Sequence, residues 1–95
     1  MNSTPKCPLE TAVMFLNNKE KIMAIGWLTE KNMAKENLHY YLGNISEKRF
    51  KEIISEILDE KIAILKGNEY KITEFGRSFG GIIESMKIWG ETQKA

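Results

Sequence analysis

Apolar residues recur along this chain with helical spacing in five places and with alternating spacing in one. Phe50, Ile53, Ile54, Ile57 and Leu58 fall at i, i+3, i+4, i+7 and i+8, which sets five large side chains on one stripe of a helix. Ser46 precedes the stripe and can accept from a first-turn amide, so a capped helix is expected within Ile45–Lys61. Upstream, Leu9, Ala12, Val13 and Leu16 form the buried stripe expected of a helix that opens at Cys7-Pro8 and ends at Asn17-Asn18. A second helix, from about Lys19 to Thr29, carries Ile22, Met23, Ile25, Trp27 and Leu28 around more than one face, as the most enclosed helix of a bundle would. Ala34, Leu38, Tyr41 and Leu42 give a third stripe, with Asn32 as its cap and Gly43-Asn44 as its break.

After Lys61 the period changes. Ile62-Ala63-Ile64-Leu65 is apolar and rich in β-branched residues, Lys66-Gly67-Asn68-Glu69 is turn material, and Tyr70-Lys71-Ile72-Thr73 alternates; together they predict a hairpin. Thr73 then caps a last helix whose Phe75, Phe79, Ile82, Met86 and Trp89 are spaced 4, 3, 4 and 3, with Ile83 and Ile88 widening the seam and Gly80-Gly81 in its middle. The order helix, glycine-containing turn, helix, hairpin is that of a helix-turn-helix followed by a wing. The expected class is therefore mainly α with a small β-hairpin: a winged helix-turn-helix with an added C-terminal dimerisation helix. One domain is expected over residues 1–95, with 1–6 as a loose arm and the helices at 7–18 and 74–90 as the dimerising elements.

Composition narrows the function. With 95 residues, 42% of them hydrophobic and 28% charged, the chain is an ordinary globular domain. Its longest apolar run, Ile22 to Leu28, is too short to span a bilayer, so a cytoplasmic protein is expected. A single cysteine excludes an internal disulfide and a cysteine-rich metal site. No nucleophile, base and oxyanion set is discernible and no glycine-rich phosphate loop is present, so an enzyme is not the reading, and no cofactor or metal is expected. His39, without carboxylate or cysteine neighbours at ligand spacing, is expected on the surface of the third helix.

Net charge is only +1, so any face for a polyanion must be local. The helix at 45–61 divides along its axis. Its first part, to Lys51, has Lys48, Arg49 and Lys51 against Glu47; its second has Lys61 against Glu52, Glu56, Asp59 and Glu60. Only the first turns can face DNA, where side chains of a major-groove helix reach base edges and phosphates. Ser46, Lys48, Arg49, Lys51 and Ser55 are the candidate contacts there, and Lys66 and Lys71 are the bases that the hairpin offers. Pairing of these bases with Glu47 and Glu52 along the helix is the competing account. Leu9, Phe79, Ile82, Ile83, Met86 and Trp89 are the candidate dimer interface. Phe15, Trp27, Phe79 and Trp89 read as core or interface, and a dimer cleft among them could hold a small apolar effector. Cys7, beside Lys6 at a helix N-terminus, is placed where a thiolate is favoured, against the competing account of an inert core thiol.

Cys7-Pro8-Leu9-Glu10, Ile45-Ser46, Leu58-Asp59-Glu60-Lys61-Ile62, Glu69-Tyr70-Lys71-Ile72-Thr73-Glu74-Phe75-Gly76 and Ile88-Trp89-Gly90 occur in order, and as a set the chain resembles the HxlR family of winged helix-turn-helix transcription regulators. The resemblance implies a homodimer on double-stranded DNA, held by the terminal helices. It implies a recognition helix over Ser46–Ser55, a wing tip at Lys66–Glu69, and a match of Cys7 to an N-terminal cysteine that in some members senses oxidants or electrophiles. The chain departs from the family pattern at Asn17-Asn18-Lys19-Glu20, at Ala34-Lys35, at Lys61 where a glycine is usual, and in a wing that is shorter and lacks prolines. The remaining alternative is a winged-helix protein-interaction module that has lost specific DNA binding.

Overall fold

Lysine 21 sits on the stripe i, i+3, i+4, i+7 with Ala24, Ile25 and Leu28, and all four are buried together in the most enclosed helix of the fold. The computed structural model describes residues 8–93; Cys7 and the arm at 1–6 lie outside the described residues. The elements run α1 (Pro8–Phe15), α2 (Lys19–Glu30), β1 (Met33–Ala34), α3 (Lys35–Tyr41), α4 (Glu47–Asp59), β2 (Ala63–Lys66), β3 (Glu69–Ile72), α5 (Glu74–Arg77) and α6 (Gly80–Gln93). Helix α2 packs against α3, α4, α5, α6 and β3, the central place expected of it. Its outer residues Ile22 and Trp27 are half-buried and Met23 is exposed. Asn18 starts it, accepting from the Lys21 amide at 2.8 Å.

The core gathers Leu38 and Leu42 of α3, Phe50, Ile53, Ile54 and Ile57 of α4, and Ile62, Ala63, Tyr70 and Ile72 around the hairpin. Leu58, the fifth member of the α4 stripe, is half-buried at its border. The sheet has three strands, not two. β3 lies between β2 and β1 and is antiparallel to both, with Met33 opposite Tyr70 and Ala63 opposite Ile72. A two-residue strand has no period to read, which is why β1 is invisible in the sequence. It also displaces the expected cap of α3. Asn32 does not serve; the N-cap is Ala34, with no side-chain hydrogen bond, and the preceding extended residues give the α3 entrance to the sheet. On α3, Tyr41 turns outward while Leu38 and Leu42 are buried.

The hairpin turn is tighter than Lys66–Glu69, because Lys66 and Glu69 are themselves paired and only Gly67-Asn68 turns. A positive φ of 65° at Gly67, with none at Asn68, is the type II′ pattern that matches strand twist. The last helix differs most from expectation. Thr73 caps it, accepting from the Gly76 amide at 3.0 Å, but α5 lasts one turn, and α6 starts afresh at Gly80. The low helix propensity of Gly80-Gly81 falls at the new start, where it costs least. This break turns Phe79 inward, 6% exposed, with its ring 5.8 Å from that of Phe15 and 5.3 Å from that of Phe75. Phe79 is core within one chain and is removed from the exposed seam.

Helix α4 ends in a Schellman arrangement: the Ile62 amide reaches Ile57 O at 3.0 Å and the Lys61 amide reaches Leu58 O at 3.1 Å. Lys61 stands in the left-handed region, φ +62°, where a Cβ is unfavourable. Lys61→Gly should therefore raise unfolding stability by about 0.5–1 kcal/mol, read as a higher urea midpoint at unchanged slope. A lower midpoint would show that the lysine side chain contributes more than its backbone costs.

Candidate nucleic-acid interface

Helix α4 is fixed at its start from two sides. Ser46 Oγ accepts from the Arg49 amide at 3.0 Å. His39 Nε2 donates to the carbonyl of Ile45, and its ring stacks on Phe50 with centroids 4.5 Å apart and planes 13° from parallel. His39 is thus a half-buried strut between α3 and the first turn of α4, not a solvated surface group. The sequence hides this because the acceptor is a backbone carbonyl across the turn. Gly43 and Asn44 make that turn with φ of +84° and +55°.

With the apolar stripe buried, the outer face of α4 presents Glu47, Lys48, Lys51, Glu52, Ser55 and Asp59, with Ser46 exposed at its head. Lys48 and Lys51 make no ion pair among the described residues. Arg49 is placed differently. Its guanidinium lies 3.3 Å from Glu20 of α2 and 3.2 Å from Glu52, so it braces α4 against α2. The hydrogen bonds it donates to Glu52 and Glu20 raise its pKa above the ordinary arginine value. A backbone hydrogen bond lowers the pKa of the Glu20 carboxyl, burial opposes it, and Arg49 adds to the lowering. Within this chain Arg49 is a structural cation whose guanidinium is already engaged.

The acidic second half of α4 has a partner that the helix sequence cannot show. The Lys21 ammonium, 0% exposed, lies 2.6 Å from Glu60 Oε1 and 3.3 Å from Glu56 Oε1. Two of the four acids therefore close on α2, and a third, Glu52, is engaged by Arg49. Among the described residues Asp59 is the acid of that half left without an ion pair. A lysine sharing the stripe of Ala24, Ile25 and Leu28 was the readable signal for this arrangement.

In the wing, strand alternation sets Ile64, Lys66, Glu69 and Lys71 on one face, with Lys71 opposite Ile64 and Lys66 opposite Glu69. Both lysines are exposed, and Glu69 between them dilutes their charge. Away from α4, α1 and α6 expose apolar residues: Leu9 at 74%, Trp89 at 67%, and Val13, Ile82, Met86 and Ile88. The stripe expected to be buried on α1 is therefore open at Leu9 and Val13, with Ala12 and Leu16 only half-buried, because α1 lies at the edge of the core. Ile83 is half-buried against the core. A groove of about 750 Å³ runs between α2 and α6, lined by Ile22, Met23, Trp27, Ile83 and Met86 with Glu30, Glu84 and Lys87 at its edge. Of the aromatic set expected in such a cleft, Trp27 lines it, while Phe15 and Phe79 pack inside the chain. Among the described residues no group of three or more His, Cys, Asp or Glu side chains could hold a metal ion. No helix among them is long and apolar enough to cross a membrane.

No protein-family model and no curated protein matches the sequence. Its fold does have solved counterparts. The oxidised form of the redox regulator HypR is 22% identical over 94% of this chain and 99% of its own, with a TM-score of 0.82. Quinone-bound YodB from B. subtilis is 21% identical over 92% and 99%, with a TM-score of 0.77. A MarR-family transcriptional regulator from Porphyromonas gingivalis W83 is 17% identical over 99% of both chains, with a TM-score of 0.85. At these identities the likeness establishes the fold, a winged helix-turn-helix in which α3 and α4 are the helix-turn-helix pair and β2 and β3 the wing.

Proposed function

We propose that the protein is a sequence-specific transcription regulator that binds double-stranded DNA as a homodimer, with α4 in the major groove. The observation that carries this reading is the outer face of α4. Its core stripe is locked and three of its acids are drawn into ion pairs, while Lys48, Lys51, Ser46 and Ser55 stay exposed on its first turns. Lysine and serine at these positions suit guanine edges and phosphates. Arg49 is a further contact, which exchanges Glu20 and Glu52 for a phosphate or a guanine edge on binding. Lys66 and Lys71 supply secondary backbone contacts from the wing. The exposed apolar residues of α1 and α6 form the dimer seam, which sets two α4 helices one DNA turn apart. The ordered motifs quoted above support the finer reading, that the regulator is of the HxlR type.

Selection from a random duplex pool tests this. Enrichment of a palindrome with half-sites about 10 base pairs apart is expected for a two-fold dimer. On the selected duplex, Lys48→Glu with Lys51→Glu should weaken binding about 100-fold or more, because attractive contacts become repulsive ones, while sedimentation still reports the wild-type assembly. Wild-type affinity in this variant would remove α4 as the reader. A pool that enriches nothing would overturn the reading in favour of a protein-interaction module. The net charge of +1 and the exposure of Ile64 and Leu65 on the wing favour that second reading.

Cys7 makes the regulator responsive to oxidants or electrophiles. This is supported by the likeness to structures of a redox regulator in its oxidised form and of a quinone-bound protein. A quinone should change the affinity of the wild type for its duplex and leave Cys7→Ser unaffected. An equal response in both proteins would exclude the thiol.

A further inference from the structure

Beside the reading face, α3, α4 and β3 enclose a cleft of about 310 Å³. Lys35 lines it from α3, Lys51 and Ser55 from α4, and Tyr70 from β3, over a floor of Phe50 and Ile54. We propose that this cleft seats one phosphate of the DNA backbone, with Lys35 as a DNA contact outside the recognition helix. The inference rests on the DNA-binding reading above and adds to it a site on a second helix.

Three observations converge on an anion. Lys35 and Lys51 face one cleft from different helices, and neither makes an ion pair among the described residues; Glu47 is the one acid in the lining. Two ammonium groups beside an apolar floor repel each other, and an anion between them converts that repulsion into attraction. Tyr70 is only 6% exposed, and its hydroxyl makes no hydrogen bond with any described residue. Its ring is buried while its hydroxyl stays open at the cleft, where it can donate to a phosphate oxygen. Burial first, then the charge of Glu36, pushes the Tyr70 pKa up, so the phenol remains an O–H donor at neutral pH. The cleft shares Lys51 and Ser55 with the outer face of α4, so a duplex lying on that face passes its mouth. Lys35 escapes a sequence reading because it belongs to neither the α4 face nor the wing.

The test is salt-dependent binding of the full chain to the selected duplex and to a scrambled one. Lys35→Gln should weaken both about 10-fold, because a phosphate contact carries no sequence information, and should lower the log–log salt slope by about one for each protomer bound. Tyr70→Phe removes only the unpartnered hydroxyl. It should weaken both duplexes about 3-fold with an unchanged thermal midpoint, since no intramolecular hydrogen bond is lost. Lys31→Gln, an exposed lysine outside the cleft, should leave the slope unaltered. A wild-type slope in Lys35→Gln, or an equal fall in Lys31→Gln, overturns the seat while leaving DNA recognition by α4 in place. Tyr70→Phe binding as the wild type does would put the phosphate outside the cleft and overturn the seat likewise. Failure of the wild type to bind any duplex overturns both the seat and the function.

Discussion

Replacing Glu56 and Glu60 together by glutamine is expected to cost about 3–5 kcal/mol of unfolding stability, the penalty for stranding a buried charge. Lys21 has no exposed surface, and its ammonium lies 2.6 Å from Glu60 and 3.3 Å from Glu56. Glutamine keeps the shape of each side chain and removes only its charge. The converse variant should behave differently. Lys21→Met fills most of the same volume with apolar atoms, and the two acids it leaves behind, 41% and 30% exposed, can take up water. Its stability should stay within about 1 kcal/mol of the wild type or exceed it. Denaturant unfolding of the three proteins decides the matter. Equal losses in both variants would mean that the pair contributes as a mutual bond, and near-zero losses in both would mean that water reaches Lys21.

Gly76→Ala should cost about 3 kcal/mol or more, at the upper end of what overpacking costs. A Cβ at Gly76 would lie 2.2 Å from the carbonyl oxygen of Ile62 and 2.6 Å from Ile72 Cγ1. That carbonyl cannot easily withdraw. It accepts from the Thr73 amide at 3.0 Å, and the Thr73 hydroxyl lies 3.0 Å from it and 2.6 Å from Lys61 O, towards which it donates. The same hydroxyl oxygen accepts from the Gly76 amide. Thr73 therefore ties the end of α4 to the start of α5, and Gly76 lets the two backbones meet. In a domain of this size a loss of about 3 kcal/mol lowers the melting temperature by more than about 10 °C. Gly81→Ala, with nothing within 4 Å of the added carbon, should be neutral or stabilising and serves as the comparison. A melting temperature for Gly76→Ala within 2 °C of the wild type would show that the contact relaxes freely.

The motif Thr73-Glu74-Phe75-Gly76 was legible as part of a family pattern, but its physical role was not. The cap could be read from Thr73 alone, because an N-cap needs only the local amide three residues on. The requirement for glycine at 76 depends on Ile62, fourteen positions away, and no local periodicity encodes it. The same division holds on α4. Ser46 as its cap and Phe50, Ile53, Ile54 and Ile57 as its buried stripe follow from spacing within one helix. The fate of its charges does not. Arg49 reads as a free base until Glu20 of α2 is found beside it, and Glu56 and Glu60 read as unpaired acids until Lys21 is.

Short-range order in the chain thus determined the helices α1 to α4, the hairpin and the buried face of α4, because capping and amphipathic spacing act over a few residues and are written where they act. It also placed Lys48 and Lys51 outward. Only the tertiary structure decided the third strand, the break before α6 that buries Phe79, the role of His39, and the convergence of Lys35, Lys51 and Tyr70 on one cleft. Each of these depends on groups far apart in sequence, and their proximity is set by how the whole core packs around α2.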